Sequence, residues 1–559
     1  MFFMSTSGIS RLTKENYIQK YPLKTGLYLL LLAALLFTRF FRLTDLPYGY
    51  NLDEAGAGYD ALCLAGWGVD RYLKSWPLYL TNYGSGQSSL YAFLCAGLFR
   101  IFGYHKFLLR LPAALCGILT FVCGADAAER CFGREGYHGL ITGFLIVICP
   151  YFVLASRFAY DCNLMLGMSA LFLDLLIRAW NRAKEADHSP LLCFPVIGLI
   201  GGLVLYTYAL SYVILPLFLL FLLLYSLAAK RFSLREWLLM GFVLLALALP
   251  LVWIQLTNLL DLPEAKLGIF TLTKLARYRG NELGAPSLPK IGAMLRHLLI
   301  GDDLLFDSVP GFANLYLISL PFLITGFLRE VMRLVRSVRR RSFAPHCIVL
   351  LWLLSILLFE SCIETHTYTL NSAFFPLVFL TVSGLDGLQR LLRGDLAGPF
   401  TKAAELTKYT RLALPFFAAG ILVWYLTSSA RFFLYYERDF TRDTYPQMYF
   451  GYEVADAFAF AAHSPSLAGR QVYCSEPAIY YLLGSGTSPF AVEDPATFGY
   501  HSSSHLGNYH FVSVPGIDPQ ACYIFAYGSY ADYVEDLKEA GFAEQRFSEA
   551  ALYYLPEEQ

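Results

Sequence analysis

Long apolar runs alternate with short polar, often basic stretches along most of the chain, and the alternation stops only after about residue 431. A helix needs about 20 mostly apolar residues to cross the hydrocarbon core of a bilayer. Eleven segments fit that pattern: 25–42, 107–127, 137–155, 164–180, 191–207, 212–228, 237–257, 313–333, 346–362, 368–388 and 411–430. The first runs into Arg39, Phe40, Phe41 and Arg42 with no small-residue cleavage site, so it reads as a span and not as a removable signal peptide.

A further run, 87–102 (QSSLYAFLCAGLFRIF), is apolar but only about 16 residues long, short for a span. Lys and Arg decide its placement, because cytoplasmic loops carry the excess of both. With a cytoplasmic N-terminus and 87–102 lying on the membrane, the inside segments are 1–24, 128–136, 181–190, 229–236, 334–345 and 389–410. These hold or border about 23 Lys and Arg, against about 11 in the longer outer loops. If 87–102 crossed, every later loop would invert and the basic clusters would fall outside. The segment therefore reads as an interfacial or re-entrant helix. The outer face then carries a first loop (43–106), a short loop near 156–163, a long loop (258–312) and everything after about 431.

Residues 437–559 change character. QVYC (471–474), HFVSV (510–514) and CYIFAY (522–527) read as short strands, and 531–541 as a helix closed by Gly541. The expected organisation is a multi-pass α-helical membrane part of about 11 spans, residues 1–436, followed by a small extracytoplasmic α/β domain, residues 437–559. Cys474 and Cys522 are the only cysteines of that domain, and an oxidising compartment would allow them to pair.

Composition narrows the classes. Hydrophobic residues make up 56% and charged residues 15%, and the mean hydropathy is +0.48, which excludes a string of water-soluble domains and a disordered chain. Twelve cysteines in 559 residues are too sparse for a disulfide scaffold. A net charge of zero supplies no basic field for nucleic acid.

Ionisable residues at a membrane edge are costly, so each is a functional candidate. Asp53 and Glu54 stand side by side just beyond the first span. By position alone they read equally as a helix N-cap and a first-turn acid. Arg157 and Asp161 lie at the outer end of the third span, four residues apart; on a helix they would share a face as an interfacial ion pair. Arg110 opens the second span, where an anchoring Arg is common. Separated carboxylates with nearby Arg also suit a site that activates a hydroxyl and holds a phosphate. The first loop offers Tyr48, Tyr50, Tyr59, Trp67, Tyr79 and Tyr83, which suit an aromatic belt or the packing of sugar faces. The long loop adds Arg277, Arg279, Arg296 and His297 as candidate phosphate clamps or headgroup contacts. His501, His505 and His510 have a metal-like spacing without a supporting Cys or helix, and no phosphate-loop, dinucleotide or nucleophile-elbow motif is present.

These residues resemble glycosyltransferase family 39 of the GT-C glycosyltransferases, which includes the protein O-mannosyltransferases and the lipid A aminoarabinose transferases. Asp53-Glu54 is similar to the family's acidic pair after its first span. Segment 87–102 resembles its membrane-lying helix, Arg110-Leu111-Pro112 the element opening its second span, and Ala155-Ser156-Arg157 through Asp161 the element carrying its second Asp. The likeness covers 25–180; beyond that it is mainly span count and an outer C-terminal part. Two positions depart. Gln87-Ser88 stand where many relatives have Lys-Pro, and His366 and Tyr368 (THTY, 365–368) stand where relatives often show Arg-Tyr, so phosphate recognition shifts to those two, to Arg110 and Arg157, or to Arg277 and Arg279.

The resemblance implies an inverting glycosyltransferase that moves a sugar from a polyprenyl-phosphate donor to a lipid, glycan or protein acceptor at the outer face of a plasma membrane, the expected setting being bacterial. It implies Asp53 as base, with Glu54 and Asp161 orienting or assisting. No metal is implied as a requirement, and the sequence shows no ligand cage for a divalent ion. Two other classes remain open. A transporter or flippase of lipid-linked sugars would show inverted repeats and broken helices in both halves. A polysaccharide polymerase or ligase would share the lipid-phosphate chemistry without needing the acidic pair.

Overall fold

The structure is a computed structural model that describes residues 20–182, 193–277, 283–302, 304–393, 403–440, 442–493, 504–512, 514 and 516–556. Helix α1 (Pro22–Phe40) leads into a first loop holding α2 (Leu52–Trp67), a hairpin of β1 (Tyr79–Asn82) and β2 (Ser85–Ser88), and α3 (Ser89–Phe102). The bundle continues through α4 (Lys106–Phe132), α5 (His138–Ile148), α6 (Pro150–Leu154), α7 (Cys162–Arg182), α8 (Cys193–Leu205), α9 (Ser211–Ala229) and α10 (Leu234–Leu259). A second long loop carries β3 (Ala265–Leu267), β4 (Phe270–Leu272) and α11 (Leu288–Leu299). Helices α12 (Leu320–Arg340), α13 (His346–Glu360), α14 (Phe374–Arg393) and α15 (Ala403–Arg438) complete it.

All eleven expected spans fall on helices, but not on eleven equal ones. Among the described residues, seven helices are long and apolar enough to cross a membrane: α1, α4, α7, α9, α10, the stretch Asn371–Leu391 and the part Leu414–Arg438 of α15. The other four segments depart for visible reasons. Segment 137–155 breaks at Cys149, which is extended (φ −68, ψ 136) ahead of Pro150, as a residue preceding proline prefers. Helices α8 and α13 have only 13 and 15 residues. Helix α12 has 21 residues but carries Arg329, Glu330, Arg333, Arg336, Arg339 and Arg340.

Helix α3, the expected membrane-lying segment, has 14 residues. At helical rise it is about 21 Å long, short of a hydrocarbon core of about 30 Å. It starts later than the apolar run suggests, because Gln87 and Ser88 belong to β2.

Beyond α15 come α16 (Thr444–Tyr449), α17 (Val454–His463), α18 (Ala478–Ser485) and α19 (Ala531–Glu539). They accompany a mixed sheet of β5 (Val472–Tyr473), β6 (His505–Leu506), β7 (Tyr509–His510), β8 (Cys522–Ala526), β9 (Ala543–Arg546) and β10 (Ala550–Tyr554), in the order β6-β7-β5-β8-β10-β9. Strand β5 pairs in parallel with β7 and β8; the other neighbours are antiparallel. The expected strand at 510–514 is instead the short β7, and β9 and β10 were not anticipated. Gly541 (φ +87) follows the end of α19. Cys474 and Cys522 are separate buried thiols; Val472 is the residue opposite Cys522, which sets Cys474 two positions further along its strand.

Two large buried clusters organise the molecule. One fills the bundle around Phe172, Trp180, Phe218 and Trp352. The other joins Tyr59, Leu80 and Tyr91 of the first loop to Phe458, Tyr480, Leu482 and Leu552 of the C-terminal region. The Tyr59 hydroxyl donates to the Thr487 carbonyl at 2.9 Å, and the Asn51 amide to the Tyr449 carbonyl at 3.4 Å. The second long loop joins the same end of the bundle, where the Leu78 N–H donates to the Thr271 carbonyl at 3.1 Å. Parts far apart in the chain thus meet around the first loop.

Candidate active site

Helix α2 begins with a reciprocal capping box. The Asp53 N–H donates to Asn51 Oδ1 at 2.9 Å, and the Asn51 N–H donates to Glu54 Oε2 at 3.3 Å. Asn51, and not Asp53, is the N-cap, so Asp53 stands at the second helical position. Its Oδ1 accepts from Asn82 Nδ2 at 2.8 Å. Asn82 ends β1, immediately before the turn Tyr83-Gly84, where both residues have positive φ (46 and 79). A two-residue turn of that kind matches the twist of its flanking strands.

The open end of the same hairpin reaches the second aspartate. The Ser88 N–H donates to Asp161 Oδ2 at 2.8 Å, and the Cys162 N–H donates to Asp161 Oδ1 at 2.9 Å. Tyr79 pairs with Ser88 and Asn82 with Ser85. The hairpin therefore bridges the two carboxylates, its ends about 10 Å apart at strand rise. Burial pushes the Asp161 carboxyl up to about 7, and the nearby Asp53 charge adds to the push against the two backbone N–H donors. A group poised near neutrality suits proton transfer.

Glu54 is placed differently from its neighbour. It is fully buried and accepts from Arg110 Nε and Nη2 at 3.1 Å each and from the Ala159 N–H at 2.7 Å. Arg110, also fully buried, commits its remaining donors to the carbonyls of Leu43, Pro47 and Gly49, each at 2.9 Å. All five of its N–H groups are thereby used to shape the start of the first loop. This geometry assigns Arg110 to architecture.

Arg157 and Asp161 do not share a helical face, because the chain between α6 and α7 runs in turns. Arg157 points to the end of α1, where its Nη1 donates to the Thr38 carbonyl at 3.1 Å and its Nη2 to the Phe41 and Arg42 carbonyls at 3.0 Å. Its guanidinium also lies 5.5 Å from the Tyr436 ring centre. Carbonyls at a helix C-terminus lack helical partners and attract a cation. The expected Arg157–Asp161 ion pair is replaced by a cap on α1.

Two of the other candidates have defined partners. The Arg277 N–H donates to the Gly84 carbonyl at 2.8 Å, which brings this exposed residue to the hairpin turn; Arg279 lies outside the described residues. His366 Nδ1 lies 2.7 Å from Asp302 Oδ2, and its ring is stacked between those of His297 and Tyr368, at 5.9 and 5.5 Å. Burial works against the Asp302 charge, but the His366 hydrogen bond and the Leu304 N–H hold its carboxyl below the ordinary range.

Of the loop aromatics, Tyr50, Tyr59 and Tyr79 are buried and so belong to the core. The Tyr48 hydroxyl accepts from Arg42 at 2.8 Å, and the Tyr83 hydroxyl donates to the Leu52 carbonyl at 3.0 Å. Arg296 sits in the last turn of α11. Of the three spaced histidines, His501 lies outside the described residues, while His505 and His510 face each other across β6 and β7.

Sequence reasoning missed Asp307. It is fully buried, has a positive φ of 56, and accepts from Asn163 Nδ2 at 3.2 Å. Burial pushes its carboxyl up to about 8. Tyr449 and Tyr480 were missed as well; burial pushes both phenols up, and the Asp53 charge adds to each. Asn51-Leu52-Asp53-Glu54 did carry a legible signal, an N-cap residue followed three positions later by Glu.

Comparison with known proteins places this architecture. A family model described as dolichyl-phosphate-mannose-protein mannosyltransferase matches residues 87–254, which include Arg110, Arg157 and Asp161. The structure of ArnT from Cupriavidus metallidurans bound to undecaprenyl phosphate superposes with a TM-score of 0.52 at 14% identity, covering 95% of this chain and 98% of that one. The same protein in its apo state gives 0.51 at 15% identity with the same coverage. The archaeal oligosaccharyltransferase AglB from Archaeoglobus fulgidus, in complex with an inhibitory peptide and a dolichol-phosphate, gives 0.48 at 13% identity, covering 85% and 65%. No curated protein matches the sequence. The fold is that of the GT-C glycosyltransferases, as the acidic pair and the span pattern had suggested. Within that class the likeness to ArnT runs along nearly the whole chain.

Proposed function

We propose that this protein is an integral-membrane glycosyltransferase that moves a sugar from a polyprenyl-phosphate donor to an acceptor hydroxyl at the extracytoplasmic face, with inversion at the anomeric carbon. The observation that carries this reading is the hairpin that holds Asp53 and Asp161 at its two ends, beside a Glu54 already committed to Arg110. Asp53 accepts the proton of the attacking hydroxyl. The oxygen then bonds to the anomeric carbon from the side opposite the phosphate, and the polyprenyl phosphate departs with the bonding electrons. Asp161 orients the acceptor and shares the proton load near neutral pH.

The departing phosphate needs donors already in place, since charge builds there in the transition state. With Arg110 and Arg157 bound to carbonyls, that role falls to Arg277 at the hairpin turn and to His366 with Tyr368. The scheme uses side-chain cations and no metal. ArnT was captured with undecaprenyl phosphate, a likeness that supports a polyprenyl-phosphate donor; the proposed setting is a bacterial plasma membrane and the proposed acceptor a lipid, glycan or protein.

Purified protein should be incubated with a panel of radiolabelled undecaprenyl-phosphate sugars, and the product's anomeric configuration read by NMR. Consumption of one donor with inversion is expected; retention of configuration, or no consumption of any lipid-phosphate sugar by active preparations from native membranes, overturns the reading. Orientation is tested in intact cells with an impermeant thiol reagent, in a Cys-free background. Ser504→Cys should be labelled and Arg340→Cys shielded; the opposite pattern moves the site to the cytoplasmic side.

A further inference from the structure

A chain of polar side chains runs behind Asp53 into the buried interior of the first loop. Asp53, Gly56 and Asp60 recur at helical spacing, so they share one face of α2. Asp60 lies at the inner end of that face and is fully buried. Its Oδ1 accepts from the Arg71 N–H and Nε at 3.1 and 3.0 Å, and its Oδ2 accepts from Arg71 Nη2 at 2.8 Å. Arg71 is itself 1% exposed. The same Nη2 donates to Asn82 Oδ1 at 3.4 Å, and Asn82 Nδ2 donates to Asp53 Oδ1 at 2.8 Å.

Chemistry fixes the direction of each link. A guanidinium only donates and an ionised carboxylate only accepts. The Asn82 amide therefore has a single arrangement that serves both neighbours, oxygen toward Arg71 and nitrogen toward Asp53. Gly56 leaves room for this. A Cβ there would lie 2.6 Å from Arg71 Nη2 and 3.0 Å from Nη1, so any side chain would push the guanidinium off its present line.

We propose that Asp60, Arg71 and Asn82 form a positioning relay for the reacting carboxylate: Asp60 fixes Arg71, Arg71 fixes the Asn82 amide, and the amide orients Asp53. The inference rests on the reading of Asp53 as base. A hydrogen bond to the charged form of a carboxylate favours that form, so the relay keeps Asp53 ready to accept a proton as well as in place. Other charged or titratable groups facing Asp53 are Glu54 on its own helix, Tyr160, Asp161 and Cys162 from the turn leading into α7, and Tyr449 and Tyr480 from the C-terminal region.

The test uses the full-length protein and the labelled undecaprenyl-phosphate sugars of the panel above. Asn82→Leu should lower kcat by about 10-fold or more, leave the donor KM within about twofold, and move the acid limb of the pH–rate profile upward. Asn82→Ser, which keeps a donor, should recover part of the rate and of the pH shift. Gly56→Ala displaces Arg71 without removing any charge and should move both quantities in the same direction by a smaller amount. Melting temperatures of all three variants separate these effects from loss of fold. If Asp53→Asn abolishes transfer while Asn82→Leu keeps wild-type kcat and pH profile, the relay is rejected and the base stands. If Asp53→Asn remains active, the reading of the base fails first. A drop in rate that follows melting temperature alone, with no shift in the pH limb, reduces Arg71 and Asn82 to a structural staple and overturns the proposal.

Discussion

The two ends of the bundle differ in how uniformly their carboxylates are paired with cations. Away from the large loops, acidic groups meet cations. Asp386 pairs with Arg329 at 2.6 Å, Arg390 at 2.9 Å and His138 at 3.1 Å. Glu330 pairs with Arg333 at 2.6 Å, and Arg178 reaches both Asp126 at 2.9 Å and Asp174 at 2.8 Å. At the loop end the pattern is mixed: Glu54 and Asp60 meet Arg110 and Arg71, whereas Asp161 is held by two backbone N–H groups and Asp53 accepts from an amide. A carboxylate neutralised by two cations is a poor base. One held by neutral donors is fixed in place and still able to take a proton. Both arrangements occur inside a single dipeptide: Glu54 pairs with Arg110, while Asp53 accepts from the Asn82 amide.

The sharpest way to break this contrast is Asp53→Asn, which keeps the size of the side chain and removes the base. Transfer should fall by about 10²-fold or more with little change in melting temperature; near wild-type turnover would dissolve the distinction. Glu54→Gln should do the reverse. It leaves Arg110 buried without its counter-charge, a loss of about 3–5 kcal/mol of stability, visible as lower yield and earlier thermal unfolding in detergent. Replacing both partners by apolar residues should recover part of that loss.

Asp161 sharpens the comparison through pH. Its folded-state value of about 7 lies above the ordinary carboxylate range. The folded protein therefore binds the proton more tightly than the unfolded chain, and stability falls as pH rises from about 4 through about 7. Relative to Asp161→Asn, the wild type should lose about 1–2 kcal/mol between pH 5 and pH 8, with allowance for partial exposure. Equal slopes for the two proteins would deny that Asp161 is perturbed.

Arg157→Lys should cost about 1–3 kcal/mol of stability, because an ammonium cannot span the carbonyls that the guanidinium fork reaches. Transfer per folded molecule should stay within about twofold; a larger fall would return Arg157 to the phosphate. At the opposite end, Asp386→Asn should give the smallest effect, about 1 kcal/mol of stability with transfer unchanged.

How much of this was legible in the sequence varies by scale. Hydrophobic runs located the helices because burial in lipid leaves a long, uniform signal. They overstated how many are full spans, because Cys149-Pro150 and the charges of α12 interrupt runs that average as apolar. Asp53, Glu54 and Asp161 stood out because charge at a membrane edge is rare. Their roles were not legible, since which of two adjacent acids meets Arg110 depends on contacts 56 residues apart in the chain. The hairpin escaped notice for a local reason. YLTN and SGQS are four residues each, lack a clear alternation, and are joined by Tyr-Gly where Asn-Gly is the usual signal. Asn82 and Arg71 were hidden with it.

The shared core of the first loop and the C-terminal region has a consequence for how the protein comes into being. Tyr59, Leu80 and Tyr91 leave the ribosome ahead of most of the bundle, and their packing partners Phe458, Tyr480 and Leu552 follow it. Chains are synthesised at about 5–20 residues per second, so the apolar side of the first loop waits while the bundle is made before its cover arrives. During that interval it is a surface for chaperones, and the loop acquires its final shape only when the C-terminal region closes over it.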